Sequence, residues 1–247
     1  MAPANTTSVC LNGGPLLLDI EGTVSPVAFV YDVMFPFIRE NVASFLEEHW
    51  DEDAVQTVVA LVGNDIGQTD SVHWLGTGTV AEQRSLVVQA VLDLMDRDAK
   101  VTGLKQLQGL VWKAGFDGGQ LIAELFPDVL PKLRECQAAG IPLYIYSSGS
   151  IGAQKLFFGH TTEGDLLGMF AGHFDTTSGG KKESASYQCI AEAMGFAATE
   201  ICFVSDVVAE LDAAKEVGMQ TVLRTEEPRE VVSPHPQIVS FQQISVS

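Results

Sequence analysis

The sequence predicts an α/β fold in which helices cover a parallel β-sheet and a long helical segment interrupts it. Short apolar runs alternate with amphipathic stretches from Pro131 onward, and one more apolar run, LLL, lies near the N-terminus. About a hundred residues between these two parts show no strand-like run. A chain of 247 residues with 46% hydrophobic residues can supply the cores that such a fold needs.

The alternating pattern predicts each sheet element in chain order. The first strand is LLLD, at residues 16–19, and later strands are expected at 141–146, 201–205 and 220–224. Helices are expected between them at 151–158, 184–194 and 208–217. Strands that alternate with helices form a parallel sheet covered on both faces.

The interrupting segment predicts a second, helical domain. Apolar residues recur at helical spacing in residues 35–50, 79–98 and 104–115. A simple crossover is far shorter than this segment. We therefore expect residues 1–26 and 130–247 to form the sheet domain and 27–129 the helical domain, with a C-terminal tail that adds at most one short strand.

Charge and cysteine content limit the possible partners and the compartment. The chain has 14 Lys+Arg against 32 Asp+Glu, a formal net charge of −18, which argues against nucleic acid or an anionic membrane as partner and favours a monomer. Four scattered cysteines indicate reduced thiols. The N-terminus does not have the pattern of a signal peptide. These features predict a soluble cytoplasmic protein; nuclear entry stays open, without a basic cluster for active import.

Chemistry-bearing side chains follow the predicted strands or precede predicted helices. Because the carboxyl ends of parallel strands meet at one edge of a sheet, we expect these residues to meet there. They are Asp19 and Glu21, Ser147 and Ser148, Lys181 and Lys182, and Asp206 and Glu210.

The acid pair at the end of the first strand raises a question of charge. Residues i and i+2 of a strand point to the same side, so Asp19 and Glu21 would repel each other unless a positive charge lies between them. A divalent cation would remove the repulsion, and Mg²⁺ accepts one or two carboxylates together with phosphate oxygens and water.

Each of these features also has a structural interpretation. The acid pair suits a solvated turn, the serines and Asp206 suit helix caps, and the lysines suit exposed surface. The order acid pair, hydroxyl, lysine, acid favours phosphoryl transfer through an aspartyl-phosphate, which needs a carboxylate nucleophile, a hydroxyl and cationic countercharge.

At these residues the sequence resembles the haloacid dehalogenase superfamily, and within it the enolase-phosphatases of methionine salvage, or acireductone synthases. The superfamily commonly has aspartate at the position of Glu21, and the glutamate there is similar to the pattern of the enolase-phosphatases. The matching segments cover most of the chain: DIEGTVSPVAFVYDVMFPF, LKQLQGLVWKAGF, YIYSSGSIGAQKLFFGHTTEGDL, GHFDTTSGGKKESASY and FVSDVVAELDAA.

The resemblance implies a Rossmann-like core with an inserted helical cap, and a role for each site residue. Asp19 is the implied nucleophile, and Asp19, Glu21 and Asp206 are the implied ligands of Mg²⁺. Ser147, Ser148 and Lys181 are implied to bind the substrate phosphate, with Glu210 steadying Lys181 or the metal and Lys182 on the surface.

The implied reaction is the conversion of 2,3-diketo-5-methylthiopentyl 1-phosphate to the acireductone, by enolisation and then dephosphorylation, with Mg²⁺ as the only cofactor and the helical insertion as a lid. The group that takes the proton in enolisation is not assigned, although Glu21 is a candidate. Two alternatives stay open: a capped phosphatase for another small phosphate ester, and a catalytically silent binding protein.

Overall fold

The structure, a computed structural model, describes residues 8–11, 13–68, 70, 73–227 and 233–246. The chain divides into two compact units, residues 1–30 with 122–247 and residues 31–121. The predicted helical domain, 27–129, is longer at both ends than the second unit. Its last residues belong with the first unit because the amides of Ala123 and Phe126 donate to the carbonyls of His160 and Val24.

A six-stranded parallel sheet forms the centre of the first unit, which confirms the predicted fold class. The strands of the described chain are β1 (Val9–Cys10), β2 (Leu16–Leu18), β3 (Leu143–Tyr146), β4 (Gly172–Phe174), β5 (Cys202–Ser205), β6 (Gln220–Arg224), β7 (Gln237–Ile238) and β8 (Ile244–Ser245). The sheet order is β4-β3-β2-β5-β6-β7, and β1 pairs separately with β8. The three leucines of β2 are fully buried, as expected for a central strand covered on both faces.

Four α-helices are described in the first unit, and each lies between two strands of the sheet in chain order. They are α5 (Val129–Ala138), α6 (Ile151–Gly159), α7 (Ser184–Met194) and α8 (Val208–Glu216), with single 3₁₀ turns at Leu167–Met169, Thr176–Ser178, Ala198–Glu200 and Phe241–Gln243. Buried residues of α7 and α8, such as Tyr187, Ile190 and Leu211, pack with Phe203 of β5 in one apolar cluster. The predicted strands and helices of this unit therefore lie within two residues of their observed ends.

The second unit consists of helices in the part of it that the structure describes. After a π-helical turn at Phe29–Met34 come α1 (Phe35–His49), α2 (Asp53–Asp65), α3 (Val80–Asp96) and α4 (Thr102–Asp117). The N-terminus of α4 lies against α2, where a Cβ on Gly103 would be 2.4 Å from the amide nitrogen of Val62. Asp65 accepts a hydrogen bond from the amide of Leu104 at 2.8 Å, which satisfies one free amide at the start of α4.

The structure corrects several details of the sequence prediction, among them that β1 precedes LLLD and that helix α5 was not predicted. The tail forms two short strands, β7 and β8, where at most one was expected, because runs of two residues carry no readable alternation. Strand β4 was missed because Gly-His-Phe is too short and too polar for an apolar run. Helix α2 was also missed, although four of its valines are buried. No described helix has the length and apolar character needed to cross a membrane.

Candidate active site

The register of the central strands brings the predicted site residues to one edge of the sheet. Leu18, the last residue of β2, lies opposite Ile145 of β3 and Val204 of β5. The chain segments that leave these three strands therefore start at the same level. Asp19 keeps this register for one more step, since its amide donates to the carbonyl of Val204 at 3.1 Å.

Lys181 lies between two buried carboxylates. Its Nζ is 2.5 Å from Oδ1 of Asp19 and 2.8 Å from Oε2 of Glu210. All three side chains are less than a tenth exposed. The structure thus brings together a lysine and two acids that are separated by 162 and 29 positions in the chain.

Glu21 turns to the neighbouring strand end, where it accepts a hydrogen bond from Ser147 Oγ at 3.1 Å. Ser147 is fully buried, and its oxygen also accepts the amide of Gly149 at 3.1 Å. The hydroxyl therefore holds the loop after β3 and the carboxylate of Glu21 together. Ser148 is exposed at the next position.

Asp206 lies against the turn that follows Glu21. Its amide donates to Thr23 Oγ1 at 3.0 Å, and a Cβ on Gly22 would be 2.3 Å from its Oδ2. Gly22 has a φ of +74°, a conformation that glycine adopts without strain. The turn 22–24 thus leaves room for the Asp206 carboxylate, and a side chain at position 22 would fill that room.

The structural interpretations of these residues receive little support. Helix α6 is capped by Ser150, whose Oγ accepts the amide of Ala153, and not by Ser147 or Ser148. The residue at the N-terminal cap of α8 is Val207, so Asp206 does not occupy that position. Lys182 is exposed, in contrast to Lys181.

The site carries more negative than positive charge. Burial and then the charge of Asp19 raise the pKa of Glu21. The same two causes raise the pKa of Glu210 to about 7, although Lys181 and Ser205 pull it down. Burial lowers the pKa of Lys181, but Asp19 and Glu210 outweigh it and raise the pKa. Three carboxyl groups therefore compete for one ammonium, and a further cation would relieve them.

The site residues fit magnesium by their chemistry but do not form a ready-made cage of side chains. Within the described ranges, no group of three or more His, Cys, Asp or Glu side chains is arranged to hold a metal ion. Mg²⁺ needs only one or two carboxylates, because water and substrate phosphate complete its octahedron. The surplus negative charge and the oxygen donors of these carboxylates suit such an ion. The set of Asp19, Glu21 and Asp206 stays a prediction.

Ser205 is a polar residue of this site that the sequence analysis did not single out. Its Oγ donates to Glu210 at 3.0 Å, lies 3.5 Å from Asp19, and accepts the amide of Val207. The only signal in the sequence is a serine directly before Asp206 at the end of a predicted strand. That signal is weak, since serine is equally common at helix caps.

The arrangement agrees with comparisons to known proteins. A family model described as a haloacid dehalogenase-like hydrolase matches residues 16–218. Enolase-phosphatase E1 of Pseudomonas aeruginosa (strain LESB58) is 46% identical over 94% of this chain and 97% of its own length. Enolase-phosphatase E1 of Salmo salar is 41% identical over 99% of this chain and 96% of its own.

A solved structure shows the same fold over nearly the whole chain. The UTR4 protein of Saccharomyces cerevisiae superposes with a TM-score of 0.76 at 30% identity, and the match covers 93% of this chain and 98% of that one. The family model and the two relatives each match most of the chain. The chain is therefore a phosphatase of the haloacid dehalogenase-like hydrolases and belongs to their enolase-phosphatase E1 family.

Proposed function

We propose that this protein converts 2,3-diketo-5-methylthiopentyl 1-phosphate to 1,2-dihydroxy-3-keto-5-methylthiopentene and phosphate, by enolisation followed by dephosphorylation, in methionine salvage. The observation that supports it most is the ammonium of Lys181 at 2.5 Å from the Asp19 carboxylate. An enolase-phosphatase also matches 94% of the length of this chain. Together, these observations favour nucleophilic attack by an aspartate beside a fixed positive charge.

Phosphoryl transfer is proposed to proceed in two steps. The Asp19 carboxylate attacks phosphorus, an Asp19 O–P bond forms, and the bond from phosphorus to the substrate oxygen breaks; that oxygen leaves as an alkoxide and takes a proton. Water then attacks the same phosphorus and gives up a proton, the Asp19 O–P bond breaks, and inorganic phosphate leaves with the carboxylate restored. When bound, Mg²⁺ supplies charge neutralisation at the phosphate and polarises the diketone. Asp206 is the proposed ligand that lies beside the Gly22 turn.

Several side chains are proposed to support these steps. Ser147, Ser148 and Lys181 bind the phosphate, and Lys181 offsets charge that develops on its oxygens. Glu21 is proposed to hold Mg²⁺ together with Asp19 and Asp206, and it is also the candidate for proton transfer in enolisation, a step whose base is not assigned. Glu210 holds Lys181 through the 2.8 Å contact and is itself held by the hydrogen bond from Ser205.

The proposal includes a monomeric, cytoplasmic protein that acts on a small phosphorylated substrate. The support is that every site residue named above comes from one compact unit of one chain. The net charge of −18 also opposes polyanionic partners. A single species of about 26.5 kDa in multi-angle light scattering is the expected result for the monomer.

The test is to incubate the purified protein with the diketone phosphate, with Mg²⁺ or with a chelator, and to follow enol absorbance and phosphate release together. With Mg²⁺, the proposal expects both enol absorbance and phosphate release. With the chelator, it expects no phosphate release and no complete conversion of the diketone. Phosphate release from simple esters without turnover of the diketone would instead favour the alternative, a phosphatase for another small ester.

A further inference from the structure

The loop that precedes α7 is held by three hydroxyl groups that the proposed mechanism does not use. Each of three successive carbonyl oxygens of this loop accepts one hydrogen bond: Gly179 O from Tyr146 OH at 2.9 Å, Gly180 O from Ser186 Oγ at 2.8 Å, and Lys181 O from Tyr187 OH at 2.7 Å. The loop backbone is thus fixed at three consecutive peptide groups that end at the lysine.

The three donors are themselves immobilised. Tyr146 and Tyr187 are fully buried, Ser186 is 2% exposed, and the two tyrosine rings meet edge to face at 5.5 Å between centroids. Tyr146 ends strand β3, whereas Ser186 and Tyr187 belong to the start of α7. The loop is therefore tied both to the sheet and to a helix.

The tyrosines stay donors across the working range of pH. Burial raises the pKa of Tyr146 to about 12, and burial also raises the pKa of Tyr187, with a further contribution from Glu210. Their hydroxyls keep their protons. A buried carbonyl that loses such a donor is left without a hydrogen-bond partner, which is unfavourable, so each bond restrains the loop.

Gly179 makes this arrangement possible. It has a φ of +119°, and a Cβ there would be 2.2 Å from Ser186 Oγ. Only a residue without a side chain lets the loop lie this close to the start of α7. The glycine before the lysine therefore serves close packing of the loop on its three donors.

Fixing the backbone matters because a lysine side chain is flexible. Its ammonium is separated from Cα by a flexible chain of rotatable bonds, so holding it in one place costs rotamer entropy. With the peptide groups fixed, the chain of Lys181 has one starting point and reaches Asp19 and Glu210. The ring of Tyr146 also lies 5.7 Å from Nζ, within cation–π range.

We propose that Tyr146, Ser186 and Tyr187 are positioning residues for phosphoryl transfer, which set the place of the Lys181 ammonium beside Asp19 by holding the three loop carbonyls. This inference rests on the proposed function, in which Lys181 binds phosphate. The three residues act through Lys181 and do not touch the substrate.

The experiment measures the Kd of inorganic phosphate, in the presence of Mg²⁺, for a cycle of variants. Tyr187→Phe keeps the ring and its packing but removes the hydroxyl. Ser186→Ala removes the hydroxyl of the second donor. Each is made in the wild type and in Lys181→Ala. We expect each single variant to weaken phosphate binding by about tenfold, and to have no further effect in the Lys181→Ala background.

The matched control is Thr221→Val. It removes a buried hydroxyl from β6 of the same unit, where Thr221 bonds the ring of His235 and not the lysine loop. We expect it to lower thermal stability and to leave the Kd of phosphate unchanged. This control separates a positioning effect from a general loss of stability.

The outcomes distinguish the inference from the proposed function. If Tyr187→Phe and Ser186→Ala raise the Kd of phosphate by the same factor in the wild type and in Lys181→Ala, the positioning role is wrong. It is also wrong if neither variant changes the Kd. If Tyr187→Phe does not fold, Ser186→Ala decides alone. Unchanged phosphate binding in Lys181→Ala itself would overturn the proposed role of Lys181 and, with it, this inference.

Discussion

The first unit contains two buried lysines whose surroundings differ. Lys181 contacts two carboxylates, Asp19 and Glu210, that are each less than a tenth exposed. Lys132 of α5 is equally buried, but its Nζ contacts the carbonyl of Ile244 and the carboxylate of Glu135, which is half exposed, both at 2.6 Å. Only the first lysine lies among charges that water cannot screen.

The presence of a cavity beside a buried lysine does not show that the lysine is functional. An open cavity of about 480 Å³ lies beside Lys132 and is bounded by Glu135, Gln242 and Ile244. That region joins α5 to the last strand, β8, through the bond from Lys132 to Ile244 O. The ammonium there satisfies a backbone carbonyl and stabilises the fold.

The difference shows what makes a buried charge functional. Around Lys132, one ammonium meets one screened carboxylate and one carbonyl, so the charges balance. Around Lys181, one ammonium meets two buried carboxylates with Glu21 nearby, and burial, followed by the charge of Asp19, raises the pKa values of Glu21 and Glu210. Such an imbalance costs stability and is retained where chemistry needs it.

The largest effect is expected from Asp19→Asn. Removing the nucleophile should lower the rate of phosphate release by about a thousandfold or more. The fold should survive, because the change removes one of the competing negative charges. Phosphate release and a thermal melt measure both effects, with the exposed Asp93→Asn as the control. Unchanged activity in Asp19→Asn would show that the Lys181 region is not the active site.

Lys181→Met comes next. It removes the cation that contacts Asp19 and Glu210. We expect kcat/KM for phosphate release to fall by about 10²–10³-fold, because this is the usual effect of losing one group that stabilises negative charge in the transition state. Steady-state kinetics on the diketone phosphate give the number. A fall no larger than that of Lys182→Met, an exposed neighbour, would contradict the assigned role.

Gly22→Ala tests the space beside Asp206. Alanine at a φ of +74° costs about 1–2 kcal/mol anywhere, but here its Cβ would also be 2.3 Å from Asp206 Oδ2. We therefore expect a loss of activity in addition to the loss of stability.

Gly140→Ala is the matched control for Gly22→Ala. It has the same φ of +74°, follows the helix that carries Lys132, and has no heavy atom within 4 Å of the added Cβ. It should show only the loss of stability in urea denaturation, with normal kcat and KM. Equal activity in the two variants would mean that the place of Asp206 is not important.

The smallest effect on activity is expected from Lys132→Met. The carbonyl of Ile244 loses its charged donor, so the free energy of unfolding should fall by about 1–3 kcal/mol while phosphate release stays unchanged. Urea denaturation followed by circular dichroism measures the stability, with the exposed Lys105→Met as reference. A loss of activity at unchanged stability would assign Lys132 to function.

Much of this site was predictable from the positions of a few residues. LLLD, the serines after β3, Lys181 and Asp206 all stand next to apolar runs that proved to be β2, β3 and β5, or just before α7. Apolar runs of this length indicate buried strands, and ligands bind at the carboxyl ends of such strands. The exposure of Lys182 also agrees with its predicted place on the surface.

Other features could not be read from the chain. Nothing in SSGS shows that Ser147 faces Glu21 while Ser150 caps α6, because three serines in four positions have the same chemistry. The short strands β4 and β7 are edge strands whose pairing, and not their composition, defines them.

The sequence by itself determined the class of chemistry: the fold, the order of acid, hydroxyl, lysine and acid, and the family that shares them. Only the tertiary structure decided which groups touch. It placed Lys181 between Asp19 and Glu210, turned Glu21 to Ser147, and set three hydroxyls on the lysine loop. The physical reason is that local patterns fix strands and their ends, whereas contacts across many positions depend on strand register and on side-chain packing in the folded interior.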